Sequence, residues 1–151
     1  MDKYSKMVKV ILEKIAESDE HKRLKVVLDA WARKKGYANI WPTLPNGQKP
    51  DVLRTKGAFV FIGDAKNGEN EGPHNAQTVS RLHGYVREFR ALLATYKGGV
   101  IAVATNDETW AKQWVICLNV LAISEQLIDE NENIPNFRVE KIDDSTWVTW
   151  W

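Results

Sequence analysis

The chain has few of the residues that would tie a small protein together covalently or through metal. A single cysteine, Cys117, stands among 151 residues. One thiol excludes an internal disulfide and a cysteine-rich zinc site, and it fits a reducing compartment. Cys117 lies in an apolar stretch and reads as a small core residue. Only three histidines occur, His21, His74 and His83, without zinc-ligand spacing. There is no long hydrophobic run. The most apolar stretch, Trp114 to Ile123, is interrupted by Asn119 and is too short to span a bilayer. The first residues, Met1 to Lys6, lack an apolar signal-peptide core. A cytoplasmic location is therefore expected. Repeats, low-complexity tracts and linkers are also missing, so residues 1–151 read as one domain, large enough for a core of its own.

Excess charge is small overall but unevenly spread. The net charge is +1, yet residues 1–40 carry ten Lys or Arg against six Asp or Glu. Residues 121–151 carry two against seven. A basic front and an acidic tail suit a nucleic-acid face with a repelling back, or simply solvated helix surfaces.

Apolar spacing gives the elements. Val8, Ile11, Leu12 and Ile15 step as a helix, and so do Leu24, Val27, Leu28 and Trp31. At about 100° per residue the two stripes fall on opposite sides of one helix. A break at Ser18-Asp19, both good N-cap residues, is the expected resolution. Basic residues and Gly36 end the second helix. Pro42, Pro45 and Asn46-Gly47 mark a loop. Asp51 to Leu53 reads as a short strand, Arg54 to Gly57 as a turn, and Ala58 to Lys66 as a long strand. After a glycine-rich loop, Asn75 to Tyr96 reads as a helix. Val100 to Ala104 is a buried strand, and Thr105 to Glu108 is a capping box for a helix running to about Asp129. Pro135 closes the next loop, Phe137 to Ile142 alternates as a strand, and Trp147 to Trp151 is a last strand or docked tail. The order predicts an α/β domain.

The most telling residues are Lys49-Pro50-Asp51-Val52 and, thirteen positions after Asp51, Asp64-Ala65-Lys66. Alternation puts Asp64 and Lys66 on one face of a strand. Pairing with the Asp51 strand brings a second carboxylate beside them, and the Ala65 backbone carbonyl adds a third oxygen. Such oxygens suit Mg²⁺ or Mn²⁺. Two acids on a cation, with a lysine beside them, are what metal-assisted phosphodiester hydrolysis needs. The plainer alternative is a proline-turn aspartate and a surface ion pair on an edge strand.

On these residues the chain resembles the PD-(D/E)xK nuclease superfamily, which includes restriction endonucleases, Holliday-junction resolvases and the virus-type replication-repair nucleases. Pro50-Asp51 and Asp64-Ala65-Lys66 match its motif. The resemblance implies a restriction-endonuclease-like αβββαβ core over about 19–105, a central mixed sheet flanked by helices, and an added C-terminal helix and strand over 106–151. It implies a metal-dependent endonuclease acting on DNA, with Asp51, Asp64 and the Ala65 carbonyl on the metal and Lys66 at the attacking water. A helix glutamate usually joins such a site. Glu20 is the candidate, with Glu17 and Glu13 behind it. Gln77, at the start of the following helix, matches a glutamine found there in the family. Lys22, Lys25, Arg33, Lys34, Arg81 and His74 are the candidates for nucleic-acid contact. The resolvase likeness implies branched DNA in repair or recombination and a homodimer. A restriction-type enzyme, a non-catalytic nucleic-acid-binding module on the same fold, and an unrelated α/β interaction domain remain alternatives. Trp147, Trp150 and Trp151 could stack on bases, form a dimer interface or close the core. The acidic surroundings favour the last two.

Overall fold

The computed structural model describes residues 3–127 and 136–151, with the side chains at 3, 4, 9–18 and 69 outside the description. Its elements are α1 (Lys3–Lys34), β1 (Asn39–Ile40), β2 (Val52–Lys56), β3 (Phe59–Lys66), α2 (Ala76–Leu92), β4 (Gly98–Thr105), α3 (Glu108–Ser124), β5 (Arg138–Asp143) and β6 (Thr146–Trp150). A 3-10 turn, Gly68–Glu71, lies between β3 and α2. The six strands form one mixed sheet in the order β1-β2-β3-β4-β6-β5. Only β3 and β4 run parallel, joined by α2 as the crossover.

Alternation along β3 sorts the core into two layers. Val60 and Ile62 face α2 and α3, packing with Leu82, Val86, Phe89, Trp114 and Leu118. Phe61 faces α1, packing with Leu28, Trp31 and Tyr37. Trp31 and Tyr37 meet Phe61 edge-on, at ring separations of 5.8 and 5.4 Å.

Helix α1 is continuous through Ser18-Asp19, so the expected break is absent. The span 3–34 holds neither glycine nor proline, and nothing in its backbone chemistry compels a stop. Two opposed stripes do not need one either. The described core residues of α1 begin at Leu24, while Met7 and Val8 are exposed. The helix ends as expected at Gly36, whose φ is +97°. Gly36 N–H donates to Arg33 O and Tyr37 N–H to Ala32 O, a Schellman closure.

Several boundaries differ from the sequence expectation; α2, for one, stops at Leu92 rather than Tyr96. Arg54 to Lys56 belongs to β2, and the hairpin turns at Gly57-Ala58. Arg54 is buried there, its Nε and Nη2 donating to Asp29 at 2.6 and 3.1 Å. An arginine thus occupies a core position that its type alone does not suggest. Asp107, not Thr105, caps α3, accepting from Trp110 N–H, and the Thr105 hydroxyl is buried without a hydrogen-bond partner among the described residues. Helix α3 stops at Ser124 rather than near Asp129. Gln126, at φ +58°, takes the left-handed position usually given to glycine. Gln126 N–H donates to Ile123 O and Leu127 N–H to Ala122 O. Pro135 lies outside the described residues.

The C-terminal tryptophans pack. Trp150 meets Trp31 at 5.4 Å, and Trp151 meets Phe89 at 5.9 Å. Among the described residues no helix is long and apolar enough to cross a membrane.

Candidate active site

The hairpin β2–β3 opens beyond the Val52–Gly63 pair, its last main-chain rung on this side. Two acidic side chains complete the ladder. Asp51 N–H donates to Asp64 Oδ1 at 2.9 Å, and Ala65 N–H donates to Asp51 Oδ2 at 2.9 Å. Each acid is therefore fixed by the strand that carries the other. Strand β3 lies between β2 and β4, so the motif is not on an edge strand. Asp64 is 1% exposed and Lys66 6%, which removes the reading as a surface ion pair.

Asp64 and Lys66 point to the α2 side, as alternation requires. Lys66 Nζ stands 2.9 Å from Asp64 Oδ2 and 3.7 Å from Glu71 Oε2. Arg81 Nε reaches Asp64 Oδ2 at 3.3 Å. Tyr85 hydroxyl lies 3.3 Å from both Asp64 oxygens and accepts from Arg81 Nε at 2.5 Å. From α1, His21 Nε2 is 3.4 Å from Asp51 Oδ2, and its Nδ1 is 3.7 Å from Glu71 Oε1. Burial pushes the Asp64 carboxyl above its ordinary value, the Lys66 charge opposes this, and the Asp51 carboxylate adds to it. Burial, followed by the Asp64 charge, pushes the Tyr85 phenol up.

Parallel strands β3 and β4 end together at Lys66 and Thr105, and the carboxyl ends of such strands are where α/β sheets take ligands. A groove of about 670 Å³ opens beside them, lined by Lys66, Glu71, Gln77, Ser80, Arg81 and Gln48. The chain matches no family model, no curated protein and no solved structure. The reading of the site therefore rests on its own chemistry.

Gln77 is exposed on the groove wall, and Arg81 is part of the acidic cluster rather than plain surface. Glu20 is engaged elsewhere. Arg23 holds it in a fork at 2.6 to 3.2 Å, and Asn106 Nδ2 donates to it at 3.4 Å. The hydrogen bonds to Arg23 draw its carboxyl below the ordinary range. No described contact joins Glu20 to Asp51 or Asp64. His74 is exposed beside Trp110, at 5.1 Å between rings. Lys22, Lys25 and Arg33 line a hollow along α1 with Asp29, to which Arg33 is paired at 3.3 Å. Lys34 borders a separate hollow with Trp31 and Lys35.

Sequence reasoning missed His21, Glu71 and Tyr85 at this site. Tyr85 had a signal, since it stands one helical turn after Arg81. Glu71 follows Lys66 by five residues but reaches back through the 3-10 turn, which spacing does not reveal. His21 lies on the segment that carries Leu24 and Leu28, and spacing along that helix does not reveal that it reaches Asp51 across the sheet end.

Among the described residues no three His, Cys, Asp or Glu side chains converge as a ready metal group. Two carboxylates do adjoin, and their mutual repulsion contributes to the raised Asp64. Ala65 N–H points to Asp51, and in a strand the carbonyl of the same residue faces the same side. Two carboxylates and a carbonyl, with water filling the remaining positions, suit Mg²⁺ or Mn²⁺.

Proposed function

We propose that the chain is a metal-dependent nuclease that hydrolyses phosphodiester bonds in DNA. The clasp of Asp51, Asp64 and Lys66 at the carboxyl end of β3 carries this reading. The order α-β-β-β-α-β from α1 to β4 supports a restriction-endonuclease-like core. Asp51, Asp64 and the Ala65 carbonyl would hold Mg²⁺ or Mn²⁺. Once bound, such an ion makes a nucleophile of coordinated water and offsets charge on the phosphate.

The chain's own groups do the rest. Main-chain N–H groups hold both carboxylates in place before substrate arrives, so no reorganisation is needed at the moment of reaction. Lys66, fixed on the same face as Asp64, donates to the attacking water or to the phosphate oxygen on which charge builds. The polar groove beside Lys66 offers Gln77 and Ser80 to the sugar-phosphate backbone. Lys22, Lys25, Arg33 and Lys34 on α1 supply sequence-independent phosphate contacts whose strength falls with salt. A homodimer acting on branched DNA is the form that the resolvase likeness favours.

The test is cleavage of linear, nicked, flapped and four-way DNA, with RNA alongside, in Mg²⁺ or Mn²⁺. Asp64→Ala and Lys66→Ala should each lower the rate by about 100-fold or more, the scale of losing one preorganised electrostatic group. Equal cleavage by wild type and both variants would sink the assignment.

A further inference from the structure

The Asp64 carboxylate is crowded. An ionised carboxylate offers about four lone-pair positions; Asp51 N–H, Lys66 Nζ and the Tyr85 hydroxyl occupy three, and the Arg81 guanidinium, whose Nε–H goes to Tyr85, lies against Oδ2 as an ion-pair partner at 3.3 Å. A cation approaching Asp64 meets one of these four groups. Asp51 N–H belongs to the backbone of the hairpin. Tyr85 is 1% exposed, its ring part of the core, and Lys66, 6% exposed, is held by Glu71 as well as by Asp64. The Arg81 side chain is 46% exposed and borders the 670 Å³ groove. Its Nη2 also donates to Lys49 O at 2.9 Å, which keeps a released guanidinium at the groove mouth.

We infer that Arg81 is a displaceable counter-ion, holding Asp64 while no cation is bound and passing to a substrate phosphate when one is. A dication enters as a singly charged guanidinium leaves, so Asp64 is never left buried without a positive partner. The released fork matches a phosphate in two parallel hydrogen bonds. Metal and DNA binding then reinforce each other, by the same factor in either order. This inference rests on the nuclease reading.

The experiment combines Mn²⁺ titration with binding of a phosphorothioate duplex, which resists cleavage, on wild type and Arg81→Gln. Wild type should show coupling of about 5- to 150-fold between the two ligands. Arg81→Gln should bind Mn²⁺ more tightly than wild type in the absence of DNA, bind the duplex more weakly in Mn²⁺, and lose the coupling. Thermal melting checks that the variant is folded. A second readout needs no variant: the Arg81 Nε–H resonance of wild type should move on adding Mg²⁺ alone. Unchanged or weaker Mn²⁺ binding by folded Arg81→Gln overturns the inference, as does an Arg81 resonance that stays still while Mg²⁺ binds. Those outcomes leave the nuclease reading standing. Wild type that binds neither Mn²⁺ nor Mg²⁺ overturns both.

Discussion

Tyr85 shows how much of the site depends on single atoms. Its ring is core, but its hydroxyl joins Arg81 to Asp64. Tyr85→Phe keeps the ring and removes only that junction. A hydrogen bond to a charged group contributes about 1.5–3 kcal/mol, so cleavage should slow by about tenfold or more. Far-UV circular dichroism should be unchanged. Gly99 makes the opposite case, where a missing atom matters. Its φ is +157°, and a Cβ there would meet Val60 O at 1.8 Å. Gly99→Ala should cost more than about 3 kcal/mol in denaturant unfolding, since β3 and β4 would have to part. At this scale Asp51, Asp64 and Lys66 were legible because strand alternation is local. His21 and Glu71 were not, because each arrives by a route that depends on tertiary structure.

Helix α1 governs the element scale. The sequence presents two stripes and a plausible cap, and the inference of a break followed from assuming that both stripes must face one core. In the fold, the α1 residues from Leu24 onward carry the packing, and Leu28 is fully buried against Val52 and Phe61. Leu28→Ala should cost about 2–5 kcal/mol in urea unfolding. The same helix is anchored by a polar fork. Arg23 holds Glu20 and donates to Thr146 Oγ1 and Ser145 O at 2.8 and 2.9 Å, tying α1 to the β5–β6 turn. Because the folded Glu20 carboxyl is drawn below its ordinary value of 4.5, its contribution is complete above that value. It is lost as pH falls through the lower folded value. Glu20→Gln should therefore flatten the acid side of the stability–pH curve, with little change in the slope between pH 6 and 8. The helix ends tell a similar story. Gly36 announces the end of α1 in the sequence, whereas Gln126 ends α3 with the same geometry and no such letter.

For the molecule as a whole, the α/β class could be read from the order of periodic segments, while the mixed sheet flanked by helices was what the family resemblance implied. The place of β5–β6 beyond β4 could not be read, since no local pattern says which edge a C-terminal hairpin joins. The sheet also concentrates charge at one end, with Asp51, Asp64 and Glu71 against Lys66 and Arg81. Saturating Mg²⁺ or Mn²⁺ should raise the melting temperature of wild type. At a hundred times its dissociation constant a ligand adds about 2.7 kcal/mol. Asp64→Ala should abolish that rise.

The two acids close the open end of their own hairpin, and this ties competence to completion. A chain whose β2 and β3 have not yet zipped to the end has neither carboxylate in place. Under the nuclease reading proposed above, a partly folded copy would be unarmed, harmless to nucleic acid until its sheet is finished.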